Sequence, residues 1–377
     1  MKADISRFYH TLYTHSIPWA LHTKEVAKAK KKDTSLFGNL IDSAARATQD
    51  LQTLGIPVGP DTSDLIAEIL GVALDVRMQD AFPNQKGFRY VDDYSLYFTE
   101  RQEAEAALTA LHAVSTHFGL EINPNKTDIL AMPEAMEPSW KVQLRSLQIR
   151  NTEPWEARDL VSYFSAAYES AAKHPHNQVL KFAVKQTMGY EITPARWPLY
   201  EAFLLTSLVN EPALAPNLAT LLRRYEEKGY VIDRNKLGDS LAEVARHHAR
   251  LRQGFELAWA LWMCKLFTIA LPPEVFKEIS AVEDSFVALL FLDLDVSGLA
   301  DGLDTSAWKK FMTAQSLYDE NWLLAYEALM KGWLPSLDGS DDVGSDEFFG
   351  TLRTNGVEFY DLAVSTPTSA AYWASVY

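Results

Sequence analysis

Apolar residues in the first part of the chain switch between a two-residue and a three-to-four-residue spacing. Lys2 to Ser6 reads as a short strand. Over Thr62 to Ala81 the residues Leu65, Ile66, Ile69, Leu70, Ala73 and Leu74 share one face, which predicts a helix capped by Asp61, Thr62 or Ser63. Phe88 to Phe98 is rich in Phe, Tyr, Val and Leu and is broken by Asp92-Asp93, the pattern of a hairpin with an acidic turn. Ala107, Leu108, Leu111, Val114 and Phe118 are in helical phase across Arg101 to Phe118. Gly119 to Leu130 is strand-like, with a turn at Asn123-Pro124-Asn125. Beyond about residue 155 strand signals are scarce, and helices are predicted over 155–173, 176–188, 194–210, 214–228, 236–269, 273–280, 284–291, 305–315 and 319–332. That order suggests helical pairs in an irregular solenoid without a fixed period. Leu334 to Asp346 is turn-rich, and the tail carries Tyr360, Tyr372, Trp373 and Tyr377. The expected fold class is α+β followed by all-α, with domains at 1–150 and 151–377.

Composition narrows the class. The chain has 377 residues, 47% apolar and 23% charged, which excludes a disordered or low-complexity protein. A single cysteine, Cys264, excludes a disulfide scaffold and a cysteine-based zinc site, and fits a reducing compartment. Met1 to Tyr13 lacks the apolar core of a signal peptide. The most apolar stretch, Phe255 to Leu271, is interrupted by Glu256 and Lys265 and reads as a buried helix. A cytoplasmic chain with no membrane partner is expected. The net charge of −15 taken alone argues against nucleic acid. Its distribution changes that: residues 1–150 hold 16 Lys+Arg and 19 Asp+Glu, net −3, and residues 151–377 hold 19 and 31, net −12. The helical half is thus a poor nonspecific duplex binder and better suited to assembly or to walling off a product.

The candidate chemistry is acidic. Asp4 lies on the first strand and Asp92-Asp93 at the hairpin tip, so pairing of these strands would bring three carboxylates together. Clustered carboxylates call for a hard cation, and Mg²⁺ takes such oxygen ligands together with water and phosphate. Two such ions activate an attacking hydroxyl and stabilise a leaving pyrophosphate. An isolated Asp pair is also an ordinary turn sequence. The surrounding order carries more information: Gly55-Ile56-Pro57-Val58-Gly59-Pro60-Asp61-Thr62-Ser63 precedes the long helix, and Gly119-Leu120-Glu121-Ile122-Asn123-Pro124-Asn125-Lys126-Thr127 follows the hairpin.

This order resembles the palm of reverse transcriptases: an Asp strand ending in an aromatic residue, a Gly-Pro-Ser loop opening a helix, a Tyr-x-Asp-Asp hairpin, and a Leu-x-Asn-x-x-Lys-Thr segment. Asp4-Ile5-Ser6-Arg7-Phe8-Tyr9, Tyr13-Thr14-His15-Ser16-Ile17-Pro18-Trp19 and the helical second half are similar to the bacterial antiphage group, the abortive-infection and "unknown group" defence reverse transcriptases. In that group the second half is a HEAT-like repeat domain. The resemblance implies a right-hand polymerase palm that adds dNTPs with Mg²⁺, or with Mn²⁺ in its place. It makes Asp4 and Asp92 the main metal ligands, with Asp93 in support and the Ile5 carbonyl as a further ligand. It makes Tyr9 the steric gate against a ribose 2′-hydroxyl, and sets Gly59, Pro60 and Ser63 against the template and nucleotide. It gives Lys126 the protonation of pyrophosphate. Each position also has an ordinary reading: a core tyrosine, a helix entrance, a solvated lysine.

The resemblance further implies a DNA product, with or without an RNA template, and a homo-oligomer. Some members of the group make untemplated DNA primed from a protein hydroxyl, for which Tyr372 and Tyr377 are tail candidates. Two departures stand out. Val58 occupies the place where many reverse transcriptases have Gln. The chain starts just ahead of Asp4, so the basic fingers region is expected to be missing from it. Competing expectations are a non-catalytic helical scaffold with a remnant palm, and RNA-templated synthesis of the retron kind. The Lys28, Lys30, Lys31, Lys32 run suits phosphate but more often marks a solvated face. His247-His248 is expected to be structural.

Overall fold

The computed structural model describes residues 1–83, 85–135 and 137–362. Tyr372, Trp373 and Tyr377 lie outside the described residues. The chain divides into two compact units, Met1–Met136 and a second that begins at Glu137. The second starts ahead of the expected boundary near residue 150 because Trp140, Leu144 and Ile149 are buried in its core.

In the first unit the strands are β1 (Lys2–Asp4), β2 (Lys86–Tyr90) and β3 (Asp93–Tyr97). They form an antiparallel sheet in the order β1-β3-β2. The helices are α1 (Phe8–Thr11), α2 (Ser16–His22), α3 (Lys24–Ala29), α4 (Phe37–Ala47), α5 (Asp61–Ala81) and α6 (Arg101–His117). Pro60, extended at φ −68°, fixes the entrance to α5, and Asp61 and Asp64 in its first turn complement the helix dipole. Ala67, Leu70, Leu74 and Met78 recur at three- and four-residue steps and are buried together with Ala3, Ile5, Tyr94, Leu96 and Leu111. This core holds the sheet, α5 and α6 as one block. Gly119 to Leu130 does not form the expected strand. It follows β1 only through isolated bridges at Ile5–Ile122 and Lys2–Asp128, because a 3₁₀ turn at Pro124–Lys126 bulges out between them.

The second unit is helical: α7 (Ser139–Ser146), α8 (Trp155–Lys173), α9 (Val179–Thr187), α10 (Trp197–Asn210), α11 (Ala215–Glu227), α12 (Arg234–Leu251), α13 (Gly254–Leu266), α14 (Phe276–Ser280), α15 (Ser285–Val296), α16 (Ser306–Lys309), α17 (Trp322–Met330), α18 (Asp342–Ser345) and α19 (Glu347–Thr354). The single helix expected over 236–269 is two. Arg252 turns left-handed (φ 54°) and closes α12, while the apolar pattern continues because α12 and α13 pack on each other in the same core. The helix expected over 305–315 shortens to α16, and a 3₁₀ turn follows at Gln315–Tyr318. Successive pairs stack, with α8 on α9, α10 on α12, α12 on α13, α13 on α15 and α15 on α17.

Buried glutamates tie one pair to the next. Glu156 accepts from the Thr193 N–H at 2.8 Å, Glu201 from Asp233 N–H at 2.9 Å, and Glu327 from Phe359 N–H at 2.6 Å. Each bond spans 32 to 37 residues. Two aromatic residues repeat the device over similar spans: the Trp197 indole donates to Val231 O and the Tyr326 hydroxyl to Val357 O. Among the described residues no helix is long and apolar enough to cross a membrane.

Candidate active site

The acidic residues meet at one end of the sheet because of the β1–β3 register. Asp4 lies directly opposite Asp93 across the antiparallel pair, so their side chains share a face. Ile5 N–H donates to Asp92 O at 3.2 Å, which seats the hairpin turn against the end of β1. Asp4 is buried at 4% exposure and its carboxylate is fully engaged: Asn123 Nδ2 donates to Oδ1 at 2.9 Å and Lys126 Nζ to Oδ2 at 3.0 Å. Asn123 N–H also donates to Asp4 O at 2.8 Å.

The electrostatics follow. Partial burial, then repulsion from Asp4, holds the carboxyls of Asp92 and Asp93 above the usual carboxylate range; Asp93 adds to the repulsion at Asp92. The bond to Asp4 raises the Lys126 ammonium above its usual value. Three acids face one lysine, so the end of the sheet carries surplus negative charge. Every donor there is a hard oxygen, the set that Mg²⁺ and Mn²⁺ take. The described residues contain no preformed cluster of three or more metal-ligating side chains. Lys126 Nζ occupies one Asp4 oxygen, and its side chain is largely exposed.

Tyr9 lies beside this end. Its hydroxyl donates to Asp64 Oδ1 at 2.8 Å, and partial burial and that bond push its pKa up to about 12. Ile56 N–H donates to Tyr9 O, which pins the glycine-proline loop to the same place. Gly59 takes φ 114°, which favours glycine, and a Cβ there would meet open space, so the loop presents bare backbone. Pro60 is exposed beside it, as is Val58. Ser63 does not join them. It is buried at 3% exposure in the first turn of α5, on the helix face that carries Ala67, Leu70 and Leu74. Lys28, Lys30, Lys31 and Lys32 are exposed on and just after α3, a solvated face. His248 bonds Gln253 across the end of α12 and His247 is exposed.

Two groups of contacts are not legible from the acid pattern. Asn123 reads as a turn residue, yet its amide bonds Asp4; its place three residues ahead of Lys126-Thr127 was the available signal. Arg89, next to Tyr90, is almost enclosed (7% side-chain exposure) and bonds Asp75 and Glu68 of α5. Its signal was Gly71, an unexplained glycine inside a helix.

Residues 1–160 match the family described as reverse transcriptase (RNA-dependent DNA polymerase). The match covers less than half of the chain; it supports a reverse transcriptase domain there and RNA-directed DNA polymerase activity in general. No curated protein sequence matches the chain.

Proposed function

We propose that the chain is a metal-dependent nucleotidyltransferase that extends DNA with dNTPs and acts in defence against phage. The observation that carries the catalytic part is the register that sets Asp4 opposite Asp93, with Asp92 and Lys126 at the same end of the sheet. In this reading Asp4, Asp92, Asp93 and the Ile5 carbonyl hold Mg²⁺, which supplies activation of the attacking hydroxyl and neutralisation of the leaving pyrophosphate. Asn123 orients Asp4. Lys126, released from Asp4, reaches the pyrophosphate and gives it a proton. The Tyr9 ring excludes a 2′-hydroxyl, and Gly59 and Pro60 lie along the template or incoming nucleotide. Ser63 keeps only a structural part.

The defence role is supported by the Asp4–Tyr9 and Tyr13–Trp19 segments and by the helical second unit. The glutamate bonds spanning 32 to 37 residues support a HEAT-like repeat in that unit. Its acidity suits an assembly surface, which favours a homo-oligomer, and untemplated, protein-primed synthesis belongs to the same reading.

The test is incorporation of labelled dNTPs by the full chain in Mg²⁺ or Mn²⁺. We expect incorporation that is lost with EDTA and weak with NTPs. Product sequencing separates RNA-templated copying from untemplated synthesis, and label that stays on protein after denaturation marks self-priming. Absence of incorporation, with phage protection that survives Asp4→Ala, would replace the enzyme by a helical scaffold.

A further inference from the structure

Arg89 stands behind the acidic turn, and all five of its N–H donors are used. Nε donates to Asp75 Oδ1 and Oδ2 at 3.1 and 3.0 Å, and Nη2 to Asp75 Oδ2 at 3.0 Å. Nη1 and Nη2 donate to the two Glu68 oxygens at 3.0 and 2.8 Å. The remaining Nη1 donor goes to Val91 O at 2.9 Å. Tyr94 fixes Asp75 from the sheet side through its hydroxyl, 3.1 Å from Oδ1. Such a planar fork with five fixed donors is peculiar to arginine.

Two further observations give this contact a purpose. The residue whose carbonyl Arg89 holds, Val91, sits at φ 55°, a region that β-branched residues avoid. Something must hold it there, and Val91 directly precedes Asp92. Opposite Arg89, at the middle of the 21-residue α5, is Gly71. Glycine inside a helix is less favourable than alanine. A Cβ at Gly71 would lie 2.5 Å from the Arg89 Cζ and Nη1. The helix gives up a side chain at the one place where the guanidinium needs the room.

We propose that Arg89, seated in the Gly71 notch, is a positioning residue: it grips the Val91 carbonyl and so sets Asp92 beside Asp4 in the geometry that takes a divalent cation. This rests on the reading that the acidic end of the sheet holds the metal. A plain ion pair between β2 and α5 would affect stability alone. The positioning role acts on cation affinity, because a displaced turn presents Asp92 at the wrong distance from Asp4.

The experiment is a Mn²⁺ titration of the full chain by calorimetry, with thermal unfolding of the same samples. Binding lost on Asp92→Asn defines the site among the other acids. Gly71→Ala is the main variant, since it displaces the guanidinium, keeps every charge and raises helix propensity. It is expected to weaken site binding about tenfold, the usual size of an outer-shell effect, in a chain that still unfolds cooperatively. Arg89→Lys should weaken binding at least as much, and adding Gly71→Ala to it should cost nothing more. Wild-type Mn²⁺ affinity in Gly71→Ala overturns the positioning role, whatever its Tm, and the same result decides the question if Arg89→Lys does not fold. A wild-type chain with no component lost on Asp92→Asn overturns the metal reading beneath it, a separate and recognisable outcome.

Discussion

Asp92→Asn is expected to lower dNTP incorporation by about a thousandfold or more, roughly 4 kcal/mol in the barrier, while leaving the protein at least as stable as before. The two effects have one cause. Asp92 is half-buried beside Asp4 and Asp93, and its carboxyl is pushed above the usual range by burial and by their charge. In the absence of a cation the ionised group therefore opposes folding. An amide of the same shape removes that cost and also removes a metal ligand. The sign with pH follows: a carboxyl raised on folding contributes stability below its unfolded value, and that contribution is lost as pH rises through the folded value. Asp92→Asn should thus be more stable than the parent near neutral pH, and the gap should close as pH falls into the carboxylate range. Adding Mg²⁺ should raise the parent's Tm and leave the variant's unchanged. Incorporation assays and thermal unfolding at two pH values check both halves. A variant that keeps its activity removes Asp92 from the catalytic set.

The sequence exposes this site better than it exposes the fold around it. The meeting of Asp4, Asp92 and Lys126 is legible because the hairpin between Phe88 and Phe98 gives an acidic turn that a pairing with the Asp4 strand brings to one end of the sheet. Their pairing needs only the register of three short strands. The Gly119–Leu130 segment misleads because alternation marks a buried face, and Leu120 and Ile122 do bury theirs without forming a ladder. Ser63 misleads because a motif letter does not say which way a helix faces; the phase of Ala67, Leu70 and Leu74 sets Ser63 on the core side. The break at Arg252 leaves no mark in the periodicity because both helices bury residues in one core. The Arg89 contacts bridge 14 and 21 residues to α5 and have no local pattern at all. Only Gly71 hints at them, and a glycine says that space is needed without saying for what. The same limit applies to the helical unit. Its helical segments are joined by hydrogen bonds between distant positions, which no single stretch of sequence shows.

Those buried glutamate bonds carry the second large prediction. Glu156→Ala should destabilise the helical unit by about 3 kcal/mol, a large part of the ~5–15 kcal/mol that a domain holds in total. Glu156 is 1% exposed at the start of α8, and its carboxylate reaches the loop that enters α10. Oε1 accepts from Thr193 N–H at 2.8 Å and Oε2 from the Thr193 hydroxyl at 2.5 Å. Both are charge-assisted bonds out of water, each worth about 1.5–3 kcal/mol, part of which offsets the cost of burying the charge. Alanine removes the acceptors, strands the Thr193 N–H and leaves a void. Glutamine keeps an acceptor for the N–H and should cost only about 1 kcal/mol. Glu191 supplies the contrast: it is exposed and paired with Lys228 at the surface, so Glu191→Ala should leave the unfolding midpoint close to the parent's. Urea unfolding followed by far-ultraviolet circular dichroism measures all three. If Glu156→Ala and Glu191→Ala cost the same, the buried glutamates do not hold successive helical pairs together, and the proposed HEAT-like reading loses its physical support.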